Sequence, residues 1–161
     1  MNLISRYLHA SHIVLQAPYS NKKRAFEAVA QLFEDHNKLA RSAAYDALFT
    51  RERMGSTALG QGVAIPHGRV KGLKDTLCAV VRLASAIPFE APDNVPVQLL
   101  VVLLVPENAN QKHLDLLGEL ASFLSIDSFR ASLLAAPTAS DVHRLFLTAQ
   151  PDRVANPEAS T

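Results

Sequence analysis

Apolar positions along the chain follow two periods. Ile13, Val14 and Leu15 form an unbroken run within residues 12–16, ended by Pro18, and predict a strand. Phe26, Val29, Ala30 and Phe33 then recur at helical spacing, predicting a helix from a cap at Ser20 to about His36. Lys22, Lys23 and Arg24 occupy its first turn, where the dipole disfavours cations, and read as a solvated face. A second helix, capped by Ser42 and running to about Arg53, carries Ala44, Tyr45, Leu48 and Phe49 on one stripe, and Gly55 stops it. Residues 55–62 hold three glycines and two hydroxyls, which argues for tight turns and no regular element.

Val63, Ala64 and Ile65 make a short apolar run halted by Pro66, and residues 76–84 predict a further strand. Residues 97–105 are almost continuously apolar, as a strand covered on both faces must be. Asn110 is a candidate cap for a helix from Gln111 to about Leu124, with Leu117, Leu120, Ala121 and Leu124 inward. Residues 127–135 and 140–149 predict two more helices, separated at Pro137. Strands interspersed with helices predict an α/β fold: a mixed parallel and antiparallel sheet of about five strands sandwiched between helices, in a single domain. That domain is expected over residues 1–150. Residues 151–161, with two prolines and little apolar surface, are expected to form a flexible tail.

Composition narrows the function classes. Sixteen Lys and Arg against 15 Asp and Glu leave a net charge of +1, which argues against a dedicated nucleic-acid or membrane surface. No apolar run approaches the ~20 residues that a membrane-spanning helix needs. Cys78 is the single cysteine, so no internal disulfide forms, which fits a reducing, cytoplasmic setting. Placed in an apolar strand, it is expected to behave as a small hydrophobe.

Among the polar residues His67 is the most informative. It follows a proline that interrupts strand pairing and precedes a glycine that lets another molecule approach the backbone. A free imidazole nitrogen there could attack phosphorus or carbonyl carbon; an ordinary turn histidine fits the same context. His113 shares a stripe with Leu117, Leu120 and Leu124 near the positive end of its helix, where a neutral ring can donate one hydrogen bond and accept another. Arg51 and Arg53, on one helical turn, and Arg69, after the His-Gly pair, each offer a planar fork suited to phosphate. His9, His12, His36 and His143 have no supporting context and read as structural or solvated. No Walker A lysine motif, G-x-S-x-G elbow or H-E-x-x-H is present, and the histidine spacing gives little support for a metal.

Arg51-Glu52-Arg53-Met54-Gly55-Ser56-Thr57, with Gly62-Val63-Ala64-Ile65-Pro66-His67-Gly68-Arg69, carries a resemblance that extends over about residues 3–149. The chain resembles the mannitol/fructose-class enzyme IIA domains of the bacterial phosphoenolpyruvate phosphotransferase system, and within them the nitrogen-regulatory branch. The strand at 96–106 and Lys112-His113-Leu114 opening a helix match as well. The resemblance implies that His67 is transiently phosphorylated, that His113 hydrogen-bonds the phosphohistidine and that Arg51 stabilises the phosphoryl group. Ser56, Gly62, Gly68 and Arg69 belong to the surrounding motif as binding residues of less defined role. It implies no metal and no cofactor. It implies a phosphocarrier of the HPr type as donor, and targets such as potassium-transport or sensor-kinase proteins that read the phosphorylation state. A sugar-specific IIA passing phosphate to a IIB transport component, or a non-catalytic interaction module, are the competing readings.

Overall fold

The computed structural model describes residues 2–150; the expected tail at 151–161 lies outside them. Two short 3-10 turns, Ile4–Arg6 and Ala10–His12, lead into strand β1, Ile13–Ala17. Helices α1 (Lys22–Asn37) and α2 (Arg41–Glu52) follow, then strands β2 (Ala58–Gly60), β3 (Val63–Ala64), β4 (His67–Val70), β5 (Leu77–Ile87) and β6 (Val97–Pro106). Helices α3 (Gln111–Leu124), α4 (Asp127–Ala135) and α5 (Ala139–Thr148) close the described chain.

The sheet has six strands, in the order β1-β5-β6-β3-β2, with β4 also on β6. β5 and β6 are antiparallel, while β1 joins β5 and both β3 and β4 join β6 in parallel. The sheet is therefore mixed, as predicted. β3 and β4 act as one strand broken at Ile65 and Pro66, since Ala64 lies opposite Leu100 and His67 opposite Leu103. Proline has no N–H for the ladder, yet its carbonyl still accepts from Leu103 N at 3.0 Å.

Alternation along β6 fills two cores. Leu99, Val101 and Leu103 pack with Leu116, Leu120, Phe123 and Phe146 of α3 and α5 on one face. Leu100, Val102 and Leu104 pack with Phe26, Phe33 and Leu48 of α1 and α2 on the other. Helices on both faces explain why this strand carries no polar alternation.

Four local expectations are corrected. β2 and β4 bring the strands to six and were not anticipated, because three and four residues are too few to leave a period, and Ala58–Gly60 lies within the stretch read as turns. Asn21, not Ser20, caps α1, its side chain accepting from Arg24 N at 2.8 Å. α2 starts at Arg41 with no side-chain cap, so Ser42 sits inside it. Lys22 is not on a solvated face, for its ammonium meets Glu52 at 2.9 Å and lies 4.4 Å from the centre of the Phe89 ring.

Candidate functional site

A cleft of about 670 Å³ opens where the end of α2, strand β4 and the start of α3 converge. Arg51, His67, Gly68, Arg69 and His113 all line it, so residues spread over more than sixty positions of sequence share one space.

The local fold explains how each arrives. The break at Ile65 and Pro66 frees the Ile65 carbonyl from the ladder, and His67 Nδ1–H donates to it at 2.8 Å. A carbonyl oxygen can only accept, so the Nδ1 proton is fixed and the lone pair of the neutral ring resides on Nε2. Among the described residues Nε2 has no hydrogen-bond partner. Burial is the main influence holding the His67 pKa below its usual value; the Ile65 bond opposes it, Arg51 adds to the lowering and Glu52 opposes it. The ring is therefore kept neutral further into acid than a free histidine.

Gly68 lets α2 come close. A Cβ on it would lie 2.5 Å from the Ala47 carbonyl oxygen and 2.6 Å from its carbon, both backbone atoms, so the side-chain-free position is what seats α2 against β4. That contact brings Arg51 to the cleft, where its guanidinium Nη1 donates to the Gly55 carbonyl at 2.9 Å.

His113 is fixed by the opening of α3. Asn110 caps the helix through its side chain, accepting from Lys112 N at 3.0 Å, as expected. The Asn110 N–H donates to His113 Nδ1 at 3.1 Å. Nδ1 is thus the acceptor, and a neutral His113 ring carries its proton on Nε2 as a donor. The buried face of α3 centres on Leu116, Leu120, Phe123 and Leu124, one position round from the predicted stripe; Leu117 lies at its edge and lines the cleft.

Ser56 and Gly62 do not line the cleft. Ser56 Oγ donates to the Phe89 carbonyl at 2.6 Å, and the Gly62 carbonyl accepts from Gln98 N and Leu99 N. Arg69 is exposed, its Nη1 donating to the Glu107 carbonyl at 3.2 Å. Arg53 is exposed and lies outside the lining. Cys78 is buried, and burial pushes its thiol pKa up, away from the reactive thiolate.

Sequence reasoning passed over Met54 and Leu114, 75% and 58% exposed, which line the same cleft as apolar groups open to solvent. It also passed over Glu52, a buried carboxylate beside Arg51. A carboxylate in the last turn of a helix, where the dipole disfavours it, was the one signal available. Among the described residues no group of three His, Cys, Asp or Glu is placed to hold a metal, and no helix is long and apolar enough to cross a membrane.

Comparison with known proteins adds a family. Residues 6–149 match the model described as phosphoenolpyruvate-dependent sugar phosphotransferase system, EIIA 2. The nitrogen regulatory protein of Pseudomonas aeruginosa is 35% identical over 148 residues, covering 91% of this chain and 96% of that protein. That of Escherichia coli K12 is 39% identical over 128 residues, covering 78% of this chain and 77% of its own. The crystal structure of nitrogen regulatory protein IIA-Ntr from Neisseria meningitidis superimposes with a TM-score of 0.86 at 44% identity, over 89% of this chain and 99% of that one. The IIA mannitol structure from Escherichia coli, at 21% identity and a TM-score of 0.71, shares the fold.

Proposed function

Because the chain belongs to the EIIA 2 family of the phosphoenolpyruvate-dependent sugar phosphotransferase system, we propose that it carries a phosphoryl group on His67 Nε2 and signals through that group. The family makes the chain a phosphotransferase component, and its nitrogen regulatory relatives support a regulatory carrier over a sugar-specific one. The single observation that carries the reading is the His67 ring itself. Its Nδ1–H is committed to the Ile65 carbonyl while Nε2 has no partner among the described residues, and the ring lines a cleft shared with Arg51 and His113.

The step balances without a proton moving. The Nε2 lone pair attacks the phosphorus of a phosphohistidine on the donor, the donor P–N bond breaks, and its electron pair returns to the donor imidazole. The group that arrives brings about −1.5 to −2 charge and three acceptor oxygens. Arg51 can meet them as a charged donor and His113 through its Nε2–H. Such transfer depends chiefly on placing donor and acceptor in line and on compensating charge. No metal or cofactor takes part.

An HPr-type phosphocarrier is the donor class, and the reaction belongs in the cytoplasm. Exposed Met54 and Leu114 beside the cleft suit the footprint of a protein partner. Arrival of the phosphoryl charge in the cleft they line changes the electrostatic fit of that surface, and targets of the potassium-transport or sensor-kinase kind read the change. Intact-mass spectrometry after incubation with phosphoenolpyruvate, enzyme I and the phosphocarrier tests this. One phosphoryl mass on the wild type and none on His67→Ala is the expected result; a labelled His67→Ala protein overturns it.

A further inference from the structure

Beyond the residues that line the cleft, we infer that Glu52 is a positioning residue whose buried carboxylate orients both His67 and Arg51. The inference rests on the reading of His67 as the phosphoryl acceptor, and deepens it.

Glu52 ends α2 and is 7% exposed. A carboxylate is disfavoured there twice, by burial and by the negative end of the helix, unless it is paired and hydrogen-bonded. Its pairing is full. Oε1 accepts from Lys22 Nζ at 2.9 Å and from Thr57 N at 3.1 Å, and Oε2 accepts from Thr57 Oγ1 at 2.7 Å. Thr57 is thus held at both its backbone and its side chain by one buried group.

From Thr57 the contacts run to the site along two branches. The Thr57 carbonyl accepts from Ile65 N at 3.0 Å, and the Ile65 carbonyl accepts from His67 Nδ1–H at 2.8 Å. Three successive links therefore join the Glu52 carboxylate to the imidazole, crossing the break between β3 and β4 where ladder pairing is interrupted. On the second branch, fixing Thr57 fixes the turn before it, and the Gly55 carbonyl of that turn receives the Arg51 guanidinium at 2.9 Å. Each branch ends on the group that sets a functional atom: the proton position on His67, and the direction of Arg51.

Charge acts alongside geometry. Arg51, Asp46, Arg69, Lys71 and His113 line the cleft with His67, and Glu52 is buried outside the lining. Of these, Arg51 favours the neutral His67 ring and Glu52 the protonated one. Removing the Glu52 charge therefore shifts His67 titration further into acid.

Ring-nitrogen NMR of His67 across pH, together with the phosphoryl labelling rate, tests the inference on the full chain. Wild type is expected to hold the Nδ1–H tautomer. In Glu52→Gln the His67 midpoint moves to lower pH, the Nδ1–H share falls and labelling slows at least about tenfold. Thr57→Val, which keeps the Glu52–Lys22 pair and removes the hydroxyl link alone, lowers the Nδ1–H share, and Thr57→Ser restores it. A merely structural Glu52 would lower stability without touching the tautomer. If folded Glu52→Gln and Thr57→Val both keep the wild-type tautomer and midpoint, the inference is wrong. If the ring responds as stated but wild type takes no label, the positioning stands and the phosphoryl reading falls.

Discussion

His67 and His12 occupy two regions in which burial holds the imidazole pKa below its usual value, and they come to opposite ends. His12 is 6% exposed, with Nδ1 against Ser11 Oγ at 3.0 Å and Nε2 against Asn37 Oδ1 at 2.9 Å. Its ring packs beside Phe33 and His36, with centroids 6.0 and 5.1 Å away. Both nitrogens are occupied and the residue is buried. His67 has one nitrogen tied to the Ile65 carbonyl and the other, among the described residues, without a partner, on a ring that lines the cleft. A lowered pKa is common to both, so it does not mark a site by itself. An unoccupied lone pair facing a cleft does.

The contrast can be broken most severely through Gly68. Gly68→Val forces a side chain into the Ala47 backbone at a position where even a Cβ sits 2.5 Å from an oxygen. Overpacking of this kind costs about 1–3 kcal/mol, and α2 must withdraw with Arg51. Phosphoryl labelling is expected to fall on the order of a hundredfold, since misplacement of about 1 Å carries that penalty. The melting temperature should fall by roughly 2–12 °C. Wild-type labelling in a folded Gly68→Val protein contradicts the seating of α2 by this glycine.

Acid sharpens the contrast next. For both histidines the folded pKa lies below the unfolded value of about 6.5, so the unfolded chain binds more protons in that window. Stability is then full above about 6.5 and declines as pH falls toward the folded values. Denaturant midpoints measured against pH should show the decline, and in His12→Gln it should be shallower because the His12 contribution is gone. Labelling, by contrast, requires the unprotonated His67 ring and does not involve His12. Its rate should hold through pH 6.5 and drop only as pH passes the lowered His67 value, in His12→Gln as in wild type.

The smallest effect is expected at α3. Asn110→Ala removes a helix cap, a loss of about 1 kcal/mol. Its backbone N–H remains, so His113 keeps a partner for Nδ1, and labelling should slow only a few-fold. Thermal denaturation and labelling rate on the same sample check both parts.

Much of the fold was legible because its strongest signals are long and periodic. The unbroken apolar run in β6 and the stripes of α1 and α2 predicted a sheet between helices, which the structure bears out. β2 and β4 were not legible, since elements of three and four residues carry too little pattern and β4 begins with His-Gly-Arg. The lining residues Arg51, Gly68 and Arg69 could be named because they sit in a distinctive motif around His67, and His113 because it shares a helical stripe and opens a helix in a second matching segment. Glu52 could not, because its partner Lys22 lies thirty residues away and an ion pair across two helices leaves no mark on local spacing. Lys22 was misread for the same reason: three cations in one turn look solvated until α2 is placed against them.

The most direct test of the account is phosphorus NMR on the labelled wild-type chain, which distinguishes the two phosphohistidine isomers. With the Nδ1 proton committed to the Ile65 carbonyl, the account predicts a single acid-labile signal from Nε2-phosphohistidine, absent in His67→Ala. A signal from the Nδ1 isomer would contradict it, because that bond requires the Ile65 contact to be given up before the phosphoryl group arrives.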